Sequence, residues 1–573
     1  MKKYMAIMAA AFMLAAVAVY FVFPLFWTTT QYTPDKVHLV VEGSIAEEDS
    51  PIAENGQLLF PLDTVKKYID PNVYWDEKAS KVVLTTKDKV LIMKTGKLTA
   101  MVNARPVDLN IPAKLVDDKP YIPIQMLEDM FGIELQWIEK NNVAVLDYRK
   151  NTIQVAVVQA DNRVMRMKPT VWSPAVKKDI KNGETLRVFG ENGKWYKVRS
   201  EEGFVGYIEK KHVKTELIAS GTDVTEPTGS GAAWKPKQGK VNMTWEYVGN
   251  KNPDVSKLKS INGLDVVSPT WFNIVDKQGT VTNKADSGYV KWAHSNGQKV
   301  WALVGNGSDP DITHGFLNNT DIREKIIQQL LIYAKLYKLD GINIDFENIY
   351  MKDRDMLTQF MRELAPLIRE QGLVVSIDVT FRSSSENWSM CYDRKALSEV
   401  VDYIAVMAYD QHWASSPVAG SVAEFGWVES NLKRILEEVP SEKVLLGLPF
   451  YTRVWKEELV DGRVKVSSTA VSMDSVEKIL SEKKPAIIWD EESGQNYVEY
   501  KVGKVTNKIW IEDDKSINLK SSLVHKYDLA GAASWRKGFE SDDIWAVLQD
   551  NLKVKQNYAQ WANANKTANT VAN

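Results

Sequence analysis

Eight apolar segments of strand length recur between Val241 and Trp535, and stretches with the spacing of amphipathic helices separate them. The expected strands are Val241–Tyr247, Val266–Phe272, Val300–Val304, Gly341–Glu347, Val374–Thr380, Tyr403–Tyr409, Val444–Tyr451 and Ala530–Trp535. Strands that alternate with helices in this way predict a (β/α)8 TIM barrel over residues 237–553. A doubly wound open sheet is the alternative. Only Gly305-Asn306-Gly307 resembles the glycine-rich phosphate loop of that fold, and the match is weak.

The barrel pattern is interrupted once. Between Thr452 and about Leu523 the sequence has the alternating pattern of β-strands, as in residues 497–500 and 508–511. Period-two alternation with turn residues predicts a small α+β insertion beside the barrel.

Two further domains are expected before the barrel. Residues 36–148 contain a repeat in which matching positions lie 62 residues apart: Pro61 and Pro123, Trp75 and Trp137, Val83 and Val145. A constant offset predicts one α+β unit used twice. Residues 152–216 show short alternating strands with Asn-Gly turns and predict a small β-barrel. A flexible linker at 217–236 and a disordered tail at 554–573 complete the expected organisation.

The first residues carry a targeting signal. Lys2 and Lys3 precede a charge-free apolar run over residues 4–27, long enough to span a bilayer as a helix. We therefore expect a single-pass transmembrane anchor with the remaining chain outside the cytoplasm. A secretory signal that is cleaved is the alternative, and it exports the rest of the chain as well.

Charge and composition disfavour two classes of function. Seventy-two basic and 74 acidic residues give a net charge of −2, which argues against nucleic-acid binding by bulk electrostatics. Six scattered histidines and the single Cys391 form no metal-ligand spacing, so neither a metal nor another cofactor is expected.

The fourth expected strand carries an unusual row of polar residues. Alternate side chains of a strand share a face, so Asn343, Asp345 and Glu347 point one way, while the intervening Ile and Phe residues point the other. Buried polar groups are costly unless they are hydrogen-bonded. Glu347 comes last, at the carboxyl rim where barrel active sites form. This strand therefore predicts a catalytic site.

The string from Asp340 to Glu347 resembles the Asp-x-x-Asp-x-Asp-x-Glu motif of glycoside hydrolase family 18, with Asn343 in place of the second Asp. Met407-Ala408-Tyr409-Asp410 and Trp535 match family positions on strands six and eight. With Asn343 at this position, the motif resembles that of the family branch that contains bacterial spore-cortex and germination glucosaminidases. The 36–148 repeat resembles the copper amine oxidase amino-terminal stalk, and residues 152–216 resemble a bacterial Src-homology-3 domain.

The resemblance implies a role for each matched residue. Glu347 would protonate the glycosidic oxygen, Asp345 would hold the substrate's acetamido N–H, and Tyr409 would donate to the acetamido oxygen. The other implied residues are Trp535 as the floor of the sugar site, Asn343 as a hydrogen-bonding partner of Asp345, Asp410 as a supporting residue and Asp340 as a structural residue. Independently of the resemblance, Trp271 is a candidate cleft aromatic, with packing in the core as the alternative.

Three functions remain open at this point. The first is hydrolysis of β-1,4-linked N-acetylglucosamine bonds in peptidoglycan or related wall glycan, with cell-wall contacts through the amino-terminal modules. The second is chitin hydrolysis. The third is a catalytically silent glycan-binding protein or surface scaffold, against which retention of Glu347, Asp345 and Tyr409 argues.

Overall fold

The computed structural model describes residues 28–47, 50–220 and 234–571, together with Met8 and Met13. Apart from these two methionines, the predicted anchor at 4–27 lies outside the described residues. Across the described part of the chain, none of the helices is both long and apolar enough to cross a membrane. The chain divides into two compact units, residues 1–228 and 229–573.

The second unit is built on a closed barrel of eight parallel strands. They are Val241–Glu246, Val266–Pro269, Lys299–Gly305, Gly341–Asp345, Val374–Thr380, Tyr403–Met407, Val444–Pro449 and Gly531–Trp535. Each strand pairs with its sequence neighbours, and the first also pairs with the eighth, which closes the ring. The prediction of a TIM barrel is confirmed. Strands four and six end two residues earlier than expected, so Glu347 and Tyr409 lie in the loops that follow.

Helices surround the barrel and bury its outer face. They are Ser287–Ser295, Pro310–Leu317, Thr320–Tyr337, Arg354–Glu370, Arg394–Val400, Phe425–Leu436, Asp514–Lys526 and Ile544–Gln549. Ile342, Ile344 and Phe346 are fully buried on the face that packs against this layer. The barrel lumen is filled by a separate set of bulky side chains that includes Trp245, Trp301 and Tyr403. Such filling makes the barrel a packed core with its cleft confined to the carboxyl rim.

The insertion follows the seventh strand as a five-stranded antiparallel sheet with one helix. Its strands are Tyr451–Val460, Arg463–Ser472, Ile487–Asp490, Gln495–Val502 and Val505–Ile511, and its helix is Met473–Lys483. Asp461 and Gly462 form the two-residue turn of the longest hairpin, both with positive φ, as a type I′ turn requires. Val454, Val476, Val498 and Ile509 give the insertion a core of its own.

In the first unit, the two copies of the repeat pair with each other. Strands Gln57–Pro61 and Lys119–Pro123 are antiparallel, with Phe60 opposite Ile122, its counterpart 62 residues later. On either side of this pair, Pro61 lies opposite Tyr121 and Leu59 opposite Pro123, so the Phe60–Ile122 pair marks a local two-fold axis between the two copies. The other strands of this domain are His38–Val41, Ser44–Ile45, Ile52–Glu54, Tyr74–Asp76, Lys81–Thr85, Val90–Lys94, Thr99–Val102, Arg105–Asp108, Lys114–Val116, Ile133–Ile138 and Val143–Tyr148, and its helices are Leu62–Tyr68 and Leu127–Phe131.

A single seven-stranded sheet follows the repeat. Its strands are Thr152–Val158, Arg163–Arg166, Ala175–Ile180, Thr185–Asn192, Trp195–Arg199, Val205–Glu209 and Val213–Ala219. The last strand continues past the expected boundary at residue 216 because it pairs along its full length with the first. Arg199 makes a bidentate ion pair at 2.6–2.7 Å with Asp147 of the repeat domain, and both side chains are nearly buried.

The tail is not disordered as predicted. Residues 558–571 form a helix, Tyr558–Val571. The indole N–H of Trp561 donates to Asn518 Oδ1 at 3.0 Å, and the indole is 9% exposed. Composition suggested disorder because Asn, Ala and Lys dominate, but one buried aromatic anchors the helix to the barrel unit.

Candidate active site

The polar row of the fourth strand lies at the carboxyl rim of the barrel. Asn343 is fully buried, whereas Asp345 and Glu347 retain partial exposure as the chain leaves the strand. Asp340, at the other end, is tied down by Lys299 at 2.7 Å and His294 at 2.6 Å. Asp340, at the start of the strand, is therefore a structural carboxylate, whereas Asp345 and Glu347 at its carboxyl end face the cleft.

Asn306 holds the backbone of Glu347 from both sides. Its Oδ1 accepts from the Glu347 N–H at 3.0 Å, and its Nδ2 donates to the Glu347 carbonyl at 2.7 Å. The Asn306 side chain is itself buried and also donates to Thr313 Oγ1. In the sequence, Asn306 stands out only as part of the weak phosphate-loop pattern Gly305-Asn306-Gly307. Its role depends on contact with the neighbouring strand, which the sequence does not display.

Glu347 has the electrostatics of a general acid. Burial is the main cause that raises its pKa, and the negative charge of Asp410 raises it further. A hydrogen bond from Ser308, at 3.4 Å to Glu347 Oε2, opposes this shift. A raised pKa keeps a carboxyl protonated closer to neutral pH, as proton donation to a leaving group requires.

We expect Asn306→Ala to lower kcat by about 10–100-fold with little change in KM, because small displacements of a reacting group cost rates of this order. Removal of both clamps frees the Glu347 backbone while the rest of the cleft stays in place. Steady-state kinetics on a soluble glycan would measure the split between kcat and KM. A change confined to KM would contradict a positioning role.

Asp345 has an unfilled hydrogen-bonding position. None of the described residues donates to its buried Oδ1. Burial, then the charges of Glu347 and Asp378, raise the pKa of Asp345 well above its usual range. A buried acceptor without a donor is costly in a native protein, and a catalytic role is one of the reasons for which such an atom is kept. An N–H group of a bound substrate would satisfy it.

Asn343 does not orient Asp345 as the sequence analysis expected. Its Oδ1 accepts from Trp245 Nε1 at 3.0 Å and from Ser268 Oγ at 3.2 Å. Its Nδ2 donates to Ser376 Oγ at 3.0 Å and to Asp378 Oδ1 at 2.7 Å. A carboxamide has two donors and two acceptor positions, so all four are used. The Asn343 amide therefore forms its hydrogen bonds inside the barrel. One of its partners, the carboxyl group of Asp378, was not predicted from the sequence.

Tyr409 and Asp410 follow the sixth strand. Burial, and then the nearby Tyr451 and the carboxyl groups Asp378, Asp345 and Glu347, raise the pKa of Tyr409 well above its usual range. Its hydroxyl therefore stays protonated and can donate. Asp410 Oδ1 accepts from the Tyr451 hydroxyl at 2.6 Å and from Arg453 at 3.2 Å. Both partners belong to the first strand of the insertion, which thus fixes a charge that acts on Glu347.

The aromatic residues divide between cleft and core. Trp535 ends the eighth strand, is partly exposed and packs on Trp245 with ring centroids 6.1 Å apart. Trp271 is 1% exposed, and its indole N–H donates to Asn252. This burial argues against the predicted sugar contact by Trp271 and favours core packing.

Comparison with known proteins agrees with this geometry. Residues 240–540 match the family model of glycosyl hydrolases family 18, residues 40–146 that of the copper amine oxidase N-terminal domain, and residues 159–214 that of the bacterial SH3 domain. The uncharacterized glycosylase YvbX of Bacillus subtilis (strain 168) is 26% identical over 292 residues, which is 48% of this chain and 82% of that protein.

Two spore enzymes are also similar. The cortical fragment-lytic enzyme of Bacillus subtilis (strain 168) is 25% identical over 242 residues, covering 42% of this chain and 56% of that enzyme. The crystal structure of the spore cortex-lytic enzyme SleL of Bacillus megaterium QM B1551 superposes with a TM-score of 0.51 at 19% identity, over 65% of this chain and 90% of that one, and shows the shared fold. With more than half of its length matched by the family model and a carboxylate pair at the rim of its barrel, the chain belongs to glycosyl hydrolases family 18 and is a glycoside hydrolase.

Proposed function

We propose that the enzyme hydrolyses β-1,4-linked N-acetylglucosamine bonds in peptidoglycan or related wall glycan by a retaining mechanism in which the substrate's acetamido group is the nucleophile. The observation that carries the proposal is the unfilled Oδ1 of Asp345, two residues before Glu347. An acetamido N–H would supply the missing donor. Substrate-assisted retention is a recognised exception to the scheme of two protein carboxylates.

In the first step, Glu347 gives its proton to the glycosidic oxygen as the bond from that oxygen to the anomeric carbon breaks. The acetamido oxygen attacks the anomeric carbon and forms an oxazolinium ion. Asp345 accepts a hydrogen bond from the acetamido N–H, and its negative charge stabilises the positively charged oxazolinium ring. In the second step, Glu347 takes a proton from water as the water oxygen attacks the same carbon, which restores the acetamido group and the protonated acid.

Tyr409 and Trp535 would position the reacting sugar. Burial and the nearby carboxyl groups raise the pKa of Tyr409, so its hydroxyl keeps its proton and can donate a hydrogen bond to the acetamido oxygen. Trp535 offers a partly exposed ring beside Trp245 as a platform for the sugar face. Asp410, fixed by Tyr451 and Arg453, would help to keep Glu347 protonated between turnovers.

A wall glycan is favoured as substrate by two similarities. One relative is named for lysis of cortical fragments, and residues 159–214 match a bacterial SH3 domain. We further propose that the enzyme acts outside the cytoplasm, tethered by the apolar run at residues 4–27, with the modules that precede the barrel in contact with the wall.

The purified full-length chain, incubated with peptidoglycan and separately with N-acetylglucosamine oligomers, tests the proposal. We expect fragments with N-acetylglucosamine at the new reducing end, identified by mass spectrometry after borohydride reduction. Cleavage of the oligomers alone would replace the wall substrate with chitin. Retained binding without products from either substrate would replace hydrolysis with a silent glycan-binding function.

A further inference from the structure

The fifth strand brings a third carboxyl group into the barrel beside the two of the fourth strand. Asp378 lies within Val374–Thr380 and is 1% exposed. The fourth and fifth strands pair in parallel, with Asn343 beside Ser376 and Ile344 beside Ile377. One more residue in this register places Asp345 beside Asp378. Paired residues of neighbouring parallel strands share a face, and the strands lie about 4.8 Å apart.

The hydrogen bonds of Asn343 determine how the Asp378 carboxyl is held. An indole N–H can only donate, so the amide atom that faces Trp245 must be the oxygen. The NH2 group of Asn343 must then face Ser376 and Asp378, with 2.7 Å to Asp378 Oδ1. The amide therefore fixes one oxygen of Asp378 as an acceptor. An aspartate at position 343 could not donate in this way when ionised.

The electrostatics of the pair agree with this arrangement. Burial raises the pKa of Asp378 well above its usual range. Hydrogen bonding by Asn343 and Trp245 opposes this shift, and the Glu347 charge adds to it. Once Asp378 is ionised, its charge raises the pKa of Asp345 and so opposes loss of the second proton of the pair. The other titratable groups that act on or feel the pair are Glu347, Tyr409 and Tyr392, and none of these is a cation. Two adjacent buried carboxyl groups do not ionise together.

We propose that Asp378 is a positioning residue for Asp345, and that the two carboxyl groups share one proton in the resting enzyme. The inference rests on the proposed function. As the acetamido N–H donates to Asp345, the O–H bond on Asp345 breaks and an O–H bond on Asp378 forms. No electrons are exchanged, and the proton stays within the pair. Asp345 becomes the anion that faces the oxazolinium ion without release of a proton to solvent.

The acid limb of the kcat/KM profile tests this role. A carboxyl that shares its proton with a second carboxyl ionises at a lower pH than it would alone, as in paired-aspartate enzymes. In Asp378→Asn, the amide at position 378 can still accept or donate a hydrogen bond with Asp345, but it cannot take the proton. We expect the acid limb to move to higher pH by about one unit, so that the rate loss is about tenfold greater on that limb than above it.

Soluble glycan strands released from peptidoglycan serve as the substrate, and thermal unfolding checks that each variant is folded. Ser376→Ala is the matched control, because it removes the other acceptor of the Asn343 amide but no titratable group. The acid limb of this control should coincide with that of the wild type. An unmoved limb in Asp378→Asn, or an equal shift in Ser376→Ala, would overturn the inference while wild-type turnover left the proposed function standing. No turnover by the wild type on glycan strands or N-acetylglucosamine oligomers would overturn both.

Discussion

Under the proposed mechanism, we expect Glu347→Gln to lower kcat for glycan hydrolysis by about 10²–10⁴-fold, the range expected when a general acid that also serves as general base is removed. The amide keeps the shape of the side chain and the contact with Ser308, but it has no proton to give at neutral pH. Substrate binding should change little, so KM should stay within a few-fold. Steady-state rates on soluble glycan strands, beside unfolding midpoints of both proteins, would measure the effect.

The matched control is Glu399→Gln, the same chemical change at an exposed position on the helix Arg394–Val400. Its kcat should equal that of the wild type. A substrate with an activated aryl leaving group gives a second control, because such a group departs with little protonation and the loss in Glu347→Gln should shrink. A variant that kept more than a tenth of wild-type kcat on natural glycan would remove Glu347 from the acid role.

Asp345→Asn is expected to lower kcat by about 10²–10³-fold, the usual cost of removing one electrostatic stabiliser of a transition state. The amide can no longer offset the positive oxazolinium charge, and one of its two ends donates where the carboxylate accepted. The same variant should unfold at a higher temperature than the wild type at neutral and alkaline pH. Activity and stability would thus change in opposite directions.

The stability effect follows from the direction of the pKa shift. Because the folded pKa of Asp345 lies above its unfolded value, the folded protein binds more protons between the two values. Its stability is therefore greatest below the unfolded pKa and falls as pH rises through the folded pKa. Asp345→Asn removes this dependence, so the difference in unfolding midpoint should grow with pH. A constant difference, or a destabilised variant, would contradict the burial of a carboxyl whose charged neighbours are themselves negative.

The barrel was predictable because its information is local. A short apolar run predicted each strand. The period-two spacing of Asn343, Asp345 and Glu347 along one strand predicted that their side chains lie on the same face. Asn306 and Asp378 were missed for the opposite reason. Each acts across a strand boundary, and the register of parallel strands far apart in sequence depends on loop lengths and packing. Ser376-Ile377-Asp378 does alternate polar and apolar residues, which is the one local signal that could have indicated an inward carboxyl.

Trp271 and the tail show where local information misled. An aromatic residue near a strand end could equally line a cleft or fill a core, and the burial of Trp271 with its hydrogen bond to Asn252 places it in the core. The tail composition resembled that of a disordered segment, yet Trp561 supplies a buried contact, and both Trp561 and Asn565 form hydrogen bonds with Asn518. Both differences concern single large side chains, whose partners lie far away in sequence.

The pairing of Phe60 with Ile122 has a consequence for the origin of the amino-terminal domain. Phe60 and its counterpart Ile122 lie on the axis, and the flanking pairs Leu59–Pro123 and Pro61–Tyr121 are exchanged by it, which is the isologous contact of a symmetric homodimer. A chain with one copy of the repeat would leave the Gln57–Pro61 edge open for the same strand of another chain. Duplication within one gene then converts a concentration-dependent dimer into an intramolecular fold. Deletion of one copy should therefore reverse the conversion and join two enzyme molecules through this edge.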